Sequence, residues 1–288
     1  AHNTIFDKTQ RGLSSGILTF SEKIDSVLGS DKLLAEGSRS RGIFSLTTSL
    51  TDGEGADFQA KFKIKLRLPR TQSKLNLIVD NISDNFRNDE VPESQLKRAQ
   101  VETEDNALTT ALRYIIAADD QWDINTNAGI KIKLPLDPFV SFRARRNFKL
   151  VNWTISLTEN VFWFHTKGFG EVTRADFDYP LPRNFLFRFA NSASWLKDEG
   201  FFTYNNSFTL YHPLPGDRSL SYSIGAVGTS ERLIHAESYG FAVSYRQSLF
   251  RKWLSLDIIP GVTYPRENHF SGVPSIAFRL ESIFGDGG

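Results

Sequence analysis

The stretch Phe58-Gln59-Ala60-Lys61-Phe62-Lys63-Ile64-Lys65-Leu66-Arg67-Leu68 alternates an apolar residue with a polar, mostly cationic one over its whole length. Successive side chains of a strand point to opposite faces, so one face here is apolar and the other cationic. A helix would scatter the lysines around its axis. The same period returns in Ile124-x-Thr126-x-Ala128-x-Ile130-x-Ile132, in Leu220-x-Tyr222-x-Ile224-x-Ala226 and in Tyr239-x-Phe241-x-Val243-x-Tyr245. Throughout, the apolar half is rich in aromatic residues, and the other half is Lys, Arg, Asp, Asn, Ser, Thr and Gly. An apolar outside around a polar inside is the pattern of a strand barrel in lipid.

The chain has 288 residues and a mean hydropathy of −0.30. No apolar run approaches the roughly 18 residues of a spanning helix, so any crossing of a membrane is made by strands. Composition does not shift beyond residue 40, which predicts one barrel domain, 39–288, behind an extension, 1–38. The 24 Phe stand against no Cys and no Met. Lack of Cys fits an oxidising periplasmic or surface environment. Ala1-His2-Asn3 lacks the charged and apolar regions of a signal peptide, so the chain reads as a processed form. The net charge of +1 argues against a nucleic-acid partner.

Strand-period segments fall near 42–51, 56–68, 73–81, 106–118, 122–134, 138–149, 151–164, 171–179, 184–196, 201–212, 218–229, 237–249, 252–264 and 273–284. Most can cross a bilayer as tilted strands, which takes about nine to eleven residues. The expectation is an all-β fold, a closed antiparallel transmembrane β-barrel of about fourteen strands, with twelve as the alternative. Connections at 68–71, 150–153, 180–183 and 250–253 read as short, and those at 82–105, 165–171, 229–237 and 265–273 as longer. Short turns on one rim and long loops on the other would place the short set in the periplasm.

The C-terminal segment Ser275-Ile-Ala-Phe-Arg-Leu-Glu-Ser-Ile-Phe284 puts Ile276, Phe278 and Leu280 on one face and closes on an aromatic residue. It resembles the terminal strand of Gram-negative outer-membrane β-barrel proteins, and residues 40 to 284 resemble a medium-sized barrel family of that membrane. The resemblance implies an outer-membrane location, with both termini periplasmic. It also implies contact with lipid and lipopolysaccharide, and with the barrel-assembly machinery during insertion. Ahead of the barrel, Thr19-Phe-Ser-Glu22 has capping-box spacing before Ile24, Val27 and Leu28, predicting a short amphipathic helix in a periplasmic extension. The acid-rich segment 82–105 reads as a solvated loop.

Projecting the alternation inward gives a lumen lined by Lys61, Lys63, Lys65, Arg67, Arg113, Lys131, Lys133, Arg143, Arg145, Arg188, Arg246 and Arg279. The inward acids are fewer: Asp80, Asp123, Asp176, Asp178, Asp257 and Glu281. Low-dielectric walls focus such a field, so a wet lumen concentrates anions. This makes a pore or translocator for small polar or anionic solutes the leading expectation. A structural barrel that anchors a periplasmic or surface protein is second, because inward Arg and Asp on neighbouring strands also pair into a filling ladder.

A lipid-active enzyme is third, resting on Asn268-His269-Phe270-Ser271-Gly272 alone. That run is similar to the Asn-His-x-Ser-Asn-Gly motif of outer-membrane phospholipase A, but it lacks the second Asn. On a strand, a His two residues from a Ser shares its face yet diverges from it, which does not activate a nucleophile. His235 with Glu231 and Glu237 is a loose loop cluster rather than a metal site. No metal or cofactor is expected.

Trp153, Trp163, Trp195, Trp253, Phe177, Tyr179, Phe185, Tyr204 and Tyr264 fall near strand ends, where aromatic rings are expected to form interfacial girdles. Only Phe162, Phe164 and Tyr211 project inward among the aromatic residues. Glu159, Arg146 and Asn206 fall on the lipid face if alternation runs unbroken, which predicts a bulge beside each or a headgroup-level position. The purified protein should stay dispersed only in detergent or lipid. Monodisperse behaviour in plain buffer by size-exclusion chromatography would instead indicate a soluble β protein with its apolar face inward.

Overall fold

The computed structural model describes residues 40–68, 74–81, 107–231, 233–249 and 253–285. The expected N-terminal helix and the 82–105 loop lie outside the described residues. Fourteen strands follow one another: β1 (Arg41–Thr51), β2 (Gly55–Arg67), β3 (Leu75–Asp80), β4 (Leu108–Ala118), β5 (Trp122–Ile132), β6 (Asp137–Lys149) and β7 (Thr154–Phe164) make the first half. The second half is β8 (Gly168–Leu181), β9 (Phe185–Leu196), β10 (Phe202–Leu214), β11 (Arg218–Thr229), β12 (His235–Ser248), β13 (Leu254–Pro265) and β14 (Val273–Gly285). Each pairs antiparallel with its chain neighbour, and β1 pairs with β14 from Arg41↔Gly285 to Thr51↔Ser275, closing the barrel. Closure leaves no unpaired edge in the membrane.

Facing follows the predicted alternation. Ile64 is 38% exposed and its neighbour Lys65 only 4%, so on β2 the apolar row looks outward and the lysine row inward. Phe58, Phe142, Phe241 and Phe278 are all exposed on the outer face. Phe162, Phe164 and Tyr211 are buried, as their inward parity requires, and Phe139 joins them. Two girdles of rings bracket the outer face. Trp153 lies 4.9 Å from Tyr179 and Trp253 6.2 Å from Phe284 at the rim that carries the barrel's two ends; Tyr239 lies 5.6 Å from Phe270 at the other.

One loop differs in length from expectation. The connection after β7 is only 165–167, not 165–171, because Gly168 at φ +76° turns the chain directly into β8, and Phe164 pairs with Gly168. A left-handed φ of this kind is nearly free for glycine. Among the described connections the terminal rim is short throughout, at 119–121, 150–153, 182–184 and 215–217, while the other rim carries 52–54, 133–136 and 165–167 beside the longer 197–201 and 266–272, the last matching the long loop expected at 265–273. On the terminal rim the Asp119 carboxylate closes its turn by accepting the N–H groups of Gln121 (2.8 Å) and Trp122 (2.7 Å), which hold it below the usual carboxylate range.

The predicted bulges beside Glu159 and Asn206 are absent. The β6–β7, β7–β8, β9–β10 and β10–β11 ladders run without a register shift. Shifts occur at Ile115/Ala117 in β4–β5 and at Val227/Gly228 in β11–β12. Only Arg146 behaves as expected. Its guanidinium sits 4.9 Å from the Trp122 ring and 4.7 Å from Phe148 at the girdle, where the cation reaches the headgroup level.

Ile224, midway along β11 on the outer face, tests the facing and the depth together. Ile224→Lys should cost about 2–4 kcal/mol, whereas Ile64→Lys, close to the end of β2, should cost about 0–1 kcal/mol. Denaturant titration of tryptophan fluorescence in vesicles measures both. Equal costs would mean that one of the two positions is not at the depth assigned.

Candidate functional site in the barrel lumen

The lumen divides into sectors by strand. On β2, Lys61, Lys63, Lys65 and Arg67 share the inward face, with Lys63 opposite Asp80 and Arg67 opposite Asn76 of β3. On β5 and β6 the inward pairs are Asp123↔Arg145, Asn125↔Arg143, Asn127↔Ser141 and Lys131↔Asp137. Arg113 Nε donates to Asn127 Oδ1 at 2.8 Å, and Asn127 Nδ2 donates to Ser141 Oγ at 2.9 Å. Arg145 donates to Asn147 Oδ1 and Ser156 Oγ, both at 3.2 Å. Lys133 lies just past the end of β5, 3.3 Å from the Asp137 carboxylate. In this sector Lys61, Lys63, Lys65, Arg67, Arg113, Lys131, Lys133, Arg143 and Arg145 outnumber the inward acids Asp57, Asp80, Asp123 and Asp137.

A second group of charges is neutralised in close pairs. Arg188 forms a two-pronged bridge to Asp178 at 2.6 and 2.7 Å, and Arg174 grips Asp176 at 2.8 Å. On the closing strands Asp257, only 1% exposed, accepts from both Arg246 and Arg279 at 2.8 Å, and Arg246 also reaches Glu281. Thus Arg188, Arg246 and Arg279 of the predicted cationic set serve as partners of acids on the wall. Arg174 was missed. Its signal was present in the sequence, because it shares parity with Asp176 and Asp178 along β8.

Two uncharged sectors complete the lining. Phe139, Phe162, Phe164, Val172, Leu196 and Ala111 form an apolar cluster on the inner face of β4 and β6–β9. Gly170 is required beneath it, since a Cβ there would lie 2.4 Å from the Phe162 ring. Opposite the charged wall, β10 and β11 present Ser207, Thr209, Ser219, Ser221, Ser223 and Gly225, with the Thr209 and Ser223 hydroxyls 3.1 Å apart.

The enzyme-like spacing folds as a rim turn. His269 (φ +52°) and Phe270 (φ +56°) are both left-handed, His269 N–H donates to Arg266 O at 2.9 Å, and Ser271 N–H donates to Asn268 O at 2.9 Å. The run is therefore not on a lipid-facing strand. His235 pairs with Glu237 and with the Leu233 carbonyl (2.6 Å). Among the described residues no three His, Cys, Asp or Glu side chains are grouped to hold a metal ion.

No protein-family model matches the chain, and no curated protein matches it. Solved structures do. The loop L8 deletion mutant of OmpT, an outer membrane protein of Vibrio cholerae, superposes with a TM-score of 0.52 at 7% identity, covering 85% of this chain and 98% of that one. OprB of Pseudomonas putida superposes at 0.53 with 8% identity, covering 88% and 96%. A bacterial polysaccharide outer membrane secretin superposes at 0.50 with 9% identity, covering 86% and 99%. Identities this low speak for architecture alone, and the chain has the closed antiparallel barrel fold of these outer-membrane proteins.

Proposed function

We propose that the chain is a pore of the Gram-negative outer membrane that passes small polar or anionic solutes along a cationic wall. The observation that carries this reading is the unequal charge of the lumen. The β8–β9 and β12–β14 charges pair off, whereas cations outnumber acids on β2 and β4–β6. Fourteen strands lie between the small barrels that side chains fill and the larger ones that hold an aqueous channel. Ser207, Thr209 and Ser219 are buried, so in this reading the path runs along the half-buried Ser221, Ser223 and Gly225 of β11. Lys61, Lys63, Arg67, Lys133 and Arg145 are the proposed anion-facing residues, with Lys65, Lys131 and Arg143 buried in the same wall and Arg188, Arg246 and Arg279 shaping it. In this reading the terminal rim faces the periplasm, and lipopolysaccharide surrounds the other.

One observation favours a closed, partner-anchoring barrel instead. Asn76, Asp80, Asn125, Asp137 and Ser141 on the inner face of β3–β6 are almost wholly buried, as they would be where the interior is filled.

Planar-bilayer recording separates the two. The pore reading expects discrete conductance with reversal potentials favouring anions, and the preference should weaken as the Debye length falls from about 10 Å at 0.1 M to about 3 Å at 1 M salt. Changing Lys61, Lys63 and Lys65 together to Glu should lower the anion-to-cation permeability ratio. No conductance from folded protein would favour the anchoring barrel.

The paired sector should respond differently. Asp257→Ala removes the acid that Arg246 and Arg279 share while Glu281 still holds Arg246, which should destabilise the barrel by about 1.5–3 kcal/mol. Denaturant titration in vesicles reads that loss, and the ion selectivity of the folded fraction should stay close to that of the unaltered protein.

A further inference from the structure

The outer face of β7–β10 breaks the apolar rule at mid-depth. Glu159 is the central residue of β7, and Asn191 sits at the middle of β9, directly opposite Asn206 of β10. Glu159 lies opposite Thr173 of β8, whose hydroxyl donates to its carboxylate at 2.7 Å. The residues paired with this group are small. Ala144 faces Glu159, Ala175 faces Asn191, Ala193 faces Thr173, and Ala226 faces Asn206. Large rings stand around them, with Trp163 and Phe142 on one side and Phe189 stacked on Phe208 at 4.4 Å on the other. The result is a shallow polar platform sunk in an aromatic surface.

Hydrocarbon does not suit such a platform. An acid at the bilayer centre is costly, and an ionisable group there calls for a named partner. One hydroxyl bond leaves most of the Glu159 carboxylate unserved. An amide offers two donors and two acceptor sites, more than a single neighbouring amide can use. Without a hydrophobic drive inside lipid, elements associate through close approach over small residues and through polar bonds. This surface supplies both.

The chemistry of the patch selects its occupant. A lipid headgroup stays at the girdles, far from the centre of β7, and a water-soluble partner does not reach that depth. A second copy of the chain does. Amides are self-complementary, so the Asn191–Asn206 pair of one copy can donate to and accept from the same pair of another. Arg146, diagonal to Glu159 across the β6–β7 ladder, lies over Trp122 and Phe148 at the girdle and does not serve the Glu159 carboxylate. We propose that the Glu159, Thr173, Asn191 and Asn206 patch is the contact through which copies of this chain associate in the membrane.

The chain contains no Cys, so a single introduced thiol is its only one. Asn191→Cys and Asn206→Cys, purified, reconstituted in dilute phospholipid vesicles and treated with a short bis-maleimide, should each give an adduct of twice the monomer mass. Ile64→Cys, on the outer face of the opposite wall, should give none. Adding Glu159→Leu to Asn206→Cys should abolish most of that adduct while heat-modifiable migration shows the barrel still folded. Equal adducts at all three positions, no adduct at Asn191 and Asn206, or an adduct undiminished by Glu159→Leu would overturn the assignment. So would an adduct to a different protein in whole membranes with none between purified copies.

Discussion

A backbone amide in hydrocarbon has no water to bond, so each N–H and C=O must find its partner inside the protein. In this chain that constraint is met by a continuous ring of fourteen ladders, and the seam between β1 and β14 is the one that makes the ring possible. Without it the first and last strands would each expose a row of unpaired groups to lipid. The terminal segment ending at Phe284 owes its pattern to this position. It must present Phe278 and Leu280 to lipid while Arg279 and Glu281 look inward to Asp257 and Arg246.

Closure then decides the state of every charge. Side chains on the inner face leave bulk water, and a charge left alone there is expensive. On β8 and β9 and on β12–β14 the sequence answers with acids two residues along the strand or directly across it, so that Arg174, Arg188, Arg246 and Arg279 are each held by carboxylates. On β2 and β4–β6 the cations are in excess, with Asn127, Asn147 and Ser156 supplying neutral acceptors for Arg113 and Arg145. The inner face therefore places its excess of cationic side chains on β2 and β4–β6, across from the hydroxyl-bearing β10 and β11.

The outer face obeys a simpler rule and breaks it in one region. Aromatic girdles mark the two interfaces, and between them the surface is mostly apolar, with Ala and a few Thr and Tyr among Leu, Ile, Val and Phe. Arg146 resolves its conflict by lying over Trp122 and Phe148 at the girdle. Glu159, Asn191 and Asn206 have no such route, since their ladders are regular and they stand near the strand centres. The exception is local in space although its residues, Thr173 included, are scattered over four strands.

The period of two was enough to read the fold: fourteen segments, their facing and the inward parity of Lys61, Lys63, Lys65, Lys131, Arg143 and Arg145 are all legible in the chain, because lipid outside and polar lining inside impose alternation residue by residue. Strand ends were less legible. The start of β8 at Gly168 depended on a left-handed glycine that periodicity does not register. Which cations pair was decided only by cross-strand register, which brings Arg279 to Asp257 across 22 positions and Arg246 to Glu281 across 35. Sequence marked Glu159 and Asn206 as violations. Only the tertiary structure showed that no bulge removes them from the lipid face and that Asn191 and Thr173 stand beside them, because contiguity on a barrel wall is a property of register and not of chain order.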